Sequence, residues 1–230
     1  MKVRTVLLSS VMLLVLSCLA PDITGRGIVR AESSPHDKVQ VLVASYSPAV
    51  PPKKPGLCLG DEEVKLARLL NESRKSQGLP PIPVSRSLTM VAQAHVRDLQ
   101  WNSPDMGTDP RGMNCNLHSW SNRGEWSPAC YTKDHMYRTS MWRKPDEITQ
   151  GVYNGNGYEI VFGGKGFKAT AAAALNGWQH NMPHNDVIIE HGPWSGYQWP
   201  AMGIGIYQGF AAVWFGKMTD PSGTVPPCSE

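Results

Sequence analysis

The sequence predicts a mixed α/β domain over its C-terminal three-quarters, and three observations point to it. Apolar residues recur at helical spacing in two segments between Asp61 and Leu99. A third helical stretch runs from about Thr170 to Asn181, with Ala171, Ala174, Leu175 and Trp178 on one face. Two β-favouring runs, Met202 to Tyr207 and Phe210 to Phe215, flank Gln208-Gly209 and read as a hairpin.

The chain begins with basic Met1-Lys2-Val3-Arg4 and an uncharged apolar run from Thr5 to Ala20. This is the pattern of a signal peptide, and it is too short to read as a spanning helix. Two processing outcomes compete. Leu14-Val15-Leu16-Ser17-Cys18 resembles a bacterial lipobox, in which a lipidated Cys18 would attach the protein to a membrane. Ordinary cleavage, for which Val29-Arg30-Ala31 offers small residues, would release it. Either way the expected location is extracytoplasmic, secreted or in the cell envelope.

Residues 1–20 are thus read as a signal peptide and 21–55 as a tether and linker. Within the linker Val39-Gln40-Val41-Leu42-Val43 is a candidate strand, followed by Pro48, Pro51, Pro52 and Pro55. The domain is 56–230, about 175 residues, ample for one core and few for two.

Loss of Lys2 and Arg4 with the leader takes the formal charge from +3 to +1. With no basic cluster, nucleic acid is a poor candidate partner. Setting Cys18 aside leaves Cys58, Cys115, Cys130 and Cys228, an even set that reads as two disulfides in an exported protein. Four cysteines allow three pairings. The favoured one is Cys115–Cys130, closing a short loop, with Cys58–Cys228 tying the ends. No CxxC spacing argues for a cysteine zinc site.

In the first helix Asp61 can cap, Glu62 and Glu63 occupy the first turn, and Gly78 offers a stop. After Pro80, Pro81 and Pro83, a second helix begins near Ser85 or Ser87. Its apolar face carries Leu88, Val91, Ala92, His95, Val96 and Leu99, so His95 is expected as a hydrogen-bonded core histidine. The stretch from Asn102 to Gly157 is irregular, as functional or disulfide-stapled loops are, and contains His118.

Pro183 is expected to end the third helix, and His180-x-x-x-His184 is not expected to chelate. In the hairpin Ala212-Val213-Trp214-Phe215 is apolar enough for a central strand, while Gly203 and Gly205 point to a close approach by another group. Of the eight tryptophans, Trp178 and Trp214 are expected in the core. Trp120, Trp126, Trp194 and Trp199 fall in loops and are candidates for stacking or for filling space.

The ordered patches His118-Ser119-Trp120, Gly157-Tyr158-Glu159-Ile160, Trp178 with His184-Asn185-Asp186-Val187-Ile188, Met202-Gly203-Ile204-Gly205-Ile206 and Val213-Trp214-Phe215-Gly216 resemble the CAP (SCP) superfamily of cysteine-rich secretory, antigen and pathogenesis-related proteins. The resemblance covers roughly residues 58 to 220. It implies an α-β-α sandwich with a three- to four-stranded antiparallel sheet. It also implies a cleft with two His and two Glu, which in some members binds zinc.

His118 resembles the first histidine and Glu159 the first glutamate. Asn181 and Ala201 stand where the second glutamate and second histidine commonly fall, so the set is reduced; His184 partly offsets the loss. The favoured expectation is a non-enzymatic binding module for a lipid, glycan or peptide. No catalytic residue is assigned, because neither Ser119 nor Ser195 has a nucleophile-elbow setting. The alternative is a zinc-dependent hydrolase acting on peptide or cell-wall material, with His118 and His184 holding the ion and Glu159 as general base. Set against metal binding is a structural reading, in which His118 and His184 tie loops to the core and Glu159 accepts from backbone N–H groups. A third functional class is a structural or host-interaction protein that uses only its surface.

Overall fold

The computed structural model describes residues 56–229. The leader, Cys18, the candidate strand over 39–43 and the proline-rich linker lie outside the described residues. Among the described residues no helix is long and apolar enough to cross a membrane.

Helix α1 (Asp61–Ser76) is capped by Gly60 rather than Asp61, because Glu63 reaches back so that its Oε2 accepts the Gly60 N–H at 2.9 Å. Asp61 instead adds negative charge to the first turn, where the helix dipole favours it. The chain leaves the helix at Gly78, whose φ of +74° releases it into the proline break. Helix α2 (Arg86–Asn102) starts where the hydroxyl of Ser85 accepts from the Leu88 N–H at 3.0 Å.

The expected irregular stretch contains two short helices, α3 (Arg138–Trp142) and α4 (Lys144–Ile148). Strand β1 (Gly157–Gly163) follows, then α5 (Ala171–Gln179). The reading of Pro183 as a terminator is corrected: it sits in the first turn of α6 (Met182–Ile188). A proline lacks the N–H that a helix interior needs but a first turn does not, so it can end one helix or open another.

Strands β2 (Ala201–Tyr207) and β3 (Phe210–Gly216) form the expected hairpin, and β1 joins on the other side of β3 in a three-stranded antiparallel sheet ordered β1-β3-β2. Every residue of central β3 is buried. One sheet face packs Ile160, Met202, Ile204, Val213 and Phe215 against α1, α5 and α6. On the other face Val161, Ala212 and Trp214 meet α2. Helices thus cover both faces, as in the α-β-α arrangement.

The glycines of β2 set how close α2 can come. A Cβ on Gly203 would lie 1.9 Å from the carbonyl carbon of Leu88, and one on Gly205 would lie 2.5 Å from that of Ala92. Backbone packs on backbone there, which fixes α2, and His95 with it, over the sheet. Two disulfides close the domain in the favoured pairing, Cys58–Cys228 and Cys115–Cys130. Trp178 and Trp214 lie in the core, and so do Trp120 and Trp199 at 2% and 3% exposure. Of the two readings offered for those loop tryptophans, Trp120 and Trp199 take the space-filling one, and stacking on a ligand is set aside for them.

Candidate functional site

Strand alternation gives Glu159 and Tyr158 opposite faces of β1, and Glu159 turns toward α2. Its side chain is buried with both oxygens engaged. Oε1 is hydrogen-bonded to Nδ1 of His95, and Oε2 lies 2.7 Å from Nδ1 of His118. The bland reading of Glu159 as an acceptor for backbone N–H groups is thereby corrected. The two imidazoles come from different elements, His95 from α2 and His118 from the disulfide-clasped loop.

His95 is the residue that sequence reasoning kept out of the site. It is fully buried, as expected for a core histidine, and stacks on Trp120 with ring centroids 4.2 Å apart and planes 10° from parallel. Its Nε2 donates to the carbonyl oxygen of Ser119 at 3.0 Å. A carbonyl only accepts, so Nε2 carries hydrogen, and the remaining shared proton lies between Nδ1 and Glu159. Burial opposes charge on His95, but the adjacent Glu159 carboxylate outweighs it and raises the pKa. Burial likewise pushes Glu159 up, and the charge on His95 and the hydrogen bond from His118 bring it net down. Both directions favour an imidazolium–carboxylate pair.

His118 is held from three sides. The Cys115–Cys130 disulfide clasps its loop, Asn116 N–H donates to the Tyr131 carbonyl at 2.8 Å, and the His118 N–H donates to Asn116 Oδ1 at 3.0 Å. Because Nδ1 faces a carboxylate, the Nδ1–H tautomer is selected and Nε2 is left as an acceptor. His118 remains about one-fifth exposed.

His118, Glu159 and His184 line one cavity of about 400 Å³ beside β1, an outer strand of the sheet. His184 comes from α6 and, among the described residues, makes no hydrogen bond to the other two. Burial, with the nearby His118, lowers its pKa, which favours the neutral ring. Asn181 lines a neighbouring apolar groove with Phe162, Trp178 and His184, and does not line the cavity. Ala201 is buried against Leu88, Val91 and Trp120.

The cavity wall is aromatic. Tyr158 stands 5.5 Å from Trp142 and 5.2 Å from Trp194 between ring centroids, and Trp194 leads inward to buried Trp199. Of the four loop tryptophans singled out, only Trp194 lines this cavity; Trp126 packs edge-on against Trp120 and donates to the Ser121 carbonyl. Trp142 has no signal in the sequence, and Tyr158 stands in the Gly157–Ile160 patch with no sign of its own role. The alternation of β1 placed Tyr158 opposite Glu159 but gave no sign that α6 would fold round the strand edge. A slightly larger cavity of about 440 Å³ lies against α3 and α4 and contains no histidine.

Zinc, which the resemblance offers, needs three or four N, O or S donors around one point. Here Glu159 has both oxygens turned to imidazoles. Among the described residues no group of three or more His, Cys, Asp or Glu is arranged to hold an ion. The donor set does not fit such a site.

The Cysteine-rich secretory protein family (CAP) matches residues 67–192, more than half of the chain. The chain belongs to this family. Solved structures similar to it include an extracellular SCP-domain protein of Bacillus anthracis, at 18% identity and TM-score 0.46, covering 68% of this chain and 40% of that one. A cysteine-rich secretory protein of Staphylococcus aureus is 15% identical with TM-score 0.42, covering 68% of this chain and 39% of that one. An outer surface protein of Borrelia burgdorferi is 16% identical with TM-score 0.41, covering 68% of this chain and 92% of that one. The CAP chain described here therefore spans about two-fifths of the length of the first two. No curated protein matches it.

Proposed function

We propose that this CAP domain is an extracytoplasmic binding module, and that the cavity beside β1 is its ligand cleft. The observation that carries the reading is the double engagement of Glu159. A carboxylate whose two oxygens accept from His95 and His118 is poorly placed to serve as a metal ligand or as the base for a free water. What remains open to a ligand is a partly exposed imidazole edge, a second histidine and an aromatic wall, the furnishing of a small-molecule site. Lipid, glycan and peptide are the candidate classes.

The leader pattern, together with two disulfides that persist only under oxidising conditions, supports export. Lipidation at Cys18 would add membrane attachment, and a Cys18→Ala variant that loses membrane association would support it. The binding reading is tested by a fluorescence titration of the Trp142–Trp194 wall with cell-wall glycan fragments, phospholipid vesicles and peptides. Saturable binding without conversion, weakened by Trp194→Ala, is expected. Turnover of any of these would overturn the non-enzymatic reading. Stoichiometric zinc in the purified protein, lost in His118→Ala, would favour the hydrolase instead.

A further inference from the structure

We infer that the cleft takes a sugar acid: a hydroxyl-bearing ring with one carboxylate or phosphate group, received by the Arg138 guanidinium that lines the cavity together with His118. The inference rests on the binding reading above and names its ligand class.

Charge comes first. Among the described residues lining the cavity Glu159 is the one carboxylate, and its charge is already matched from beneath. A proton shared by His95 and Glu159 leaves that pair neutral whichever atom holds it, so the floor does not repel an anion. His95 has no opening to the cavity and acts only through Glu159.

The second observation is the state of Arg138. Arg68, Arg74, Arg111 and Arg143 are all committed: Arg68 to Glu72, Arg74 to Glu190, Arg111 to Asp109 and Asp134, and Arg143 to Asp146. Arg138 is exposed at the start of α3, lines the cavity, and lies with its guanidinium carbon 5.5 Å from the Trp142 ring centroid. Among the described residues no carboxylate pairs with it. A planar guanidinium held against an aromatic face presents its N–H edge to a carboxylate or phosphate in bidentate geometry.

The third is the polarity of the lining. Asn116, Tyr131, His135 and His184 place donors and acceptors around the same space, while Trp194 and Tyr158 supply flat apolar surface. Ring hydroxyls find partners in such a lining, whereas an acyl chain would strand them without partners. A chain has a better place next door, in the apolar groove of Leu117, Val161, Phe162, Phe167 and Trp178, which meets the cavity only at His184.

The test is an NMR titration of the intact domain that follows the imidazole signals of His118 and His184. The probes are glucuronate, glucose 6-phosphate, glucose, inorganic phosphate and dodecyl phosphate below its micelle-forming concentration. Glucuronate and glucose 6-phosphate are expected to bind at least about tenfold more tightly than glucose, the scale of one charge-assisted contact. Arg138→Gln should abolish that preference, and Arg138→Lys should restore part of it. Glucose matching the charged sugars, or an Arg138→Gln variant that keeps the preference, overturns the inference and leaves the binding reading standing. Tighter binding of inorganic phosphate or dodecyl phosphate than of either sugar acid also overturns it, in favour of a free anion or a lipid headgroup. Silence from every probe overturns the inference while the wider panel above decides the binding reading separately.

Discussion

Two buried glutamates, Glu190 and Glu159, are satisfied in contrasting ways. Glu190 accepts from the Arg74 guanidinium at 2.8 Å and from the backbone N–H groups of Gln198 and Trp199 at 2.8 and 3.2 Å. Arg74 in turn donates to the carbonyls of Pro80 and Ile188, at 3.1 and 2.7 Å. Every partner in that cluster is permanently charged or belongs to the backbone. Glu159 is held by two imidazoles, both of which can gain or lose a proton, and one of which reaches a cavity. The first arrangement staples α1 to the loop before β2. The second keeps a charge in the core while leaving one end of the network adjustable.

The largest expected effect breaks the staple. Arg74→Ala leaves a buried carboxylate without its cation and should cost about 3–5 kcal/mol, read from urea unfolding. Because Arg74 lies outside the cleft, folded protein should retain its ligand affinity. Replacing the Cys115–Cys130 pair by serines should cost roughly 3 kcal/mol through the freed loop. It should also weaken ligand binding, since that loop carries His118.

His95→Gln comes next, at about 1–3 kcal/mol for a disrupted buried hydrogen-bond partner. It should also change the pH profile. A pKa raised in the folded state contributes stability that is complete below the ordinary imidazole value and lost as pH climbs through the raised one. Wild type should therefore lose stability on the alkaline side of neutrality, and His95→Gln should lose less. The carboxyl pKa values of Glu159 and Glu190 are both net lowered. Burial opposes that lowering in each case, but charge and hydrogen bonding outweigh it, so both clusters weaken as pH falls through those depressed values. Only the histidine cluster should fail on both sides. The smallest effect on stability is expected from His118→Gln, about 1 kcal/mol or less, with a clear loss of ligand affinity.

The same contrast explains what the sequence disclosed. The hairpin, the α2 start and the tight approach at Gly203 and Gly205 were legible because each depends on local chemistry: a turn, a hydroxyl cap, a missing side chain. Helical spacing placed His95 toward the core but could not say that a carboxylate from a strand 64 residues later would face it. Pro183 was ambiguous for a physical reason, since the missing N–H suits a helix start as well as an end. Trp120 and Trp199 sit in loops, yet α2 and the aromatic cluster cover them, a fact set by tertiary packing alone. Of the cleft, the ordered patches carry His118, Glu159 and His184; Tyr158 stands in one of them only as the neighbour of Glu159, and Arg138 and Trp142 carry no pattern that marks them.

The central claim is that His95 holds Glu159 as a charged pair beneath the cleft. The most direct measurement is long-range ¹H–¹⁵N NMR of the His95 imidazole near neutral pH, in wild type and in Glu159→Gln. The pairing predicts two protonated ring nitrogens in wild type and one in the variant. A wild-type His95 whose Nδ1 shows the shift of an unprotonated nitrogen would contradict it.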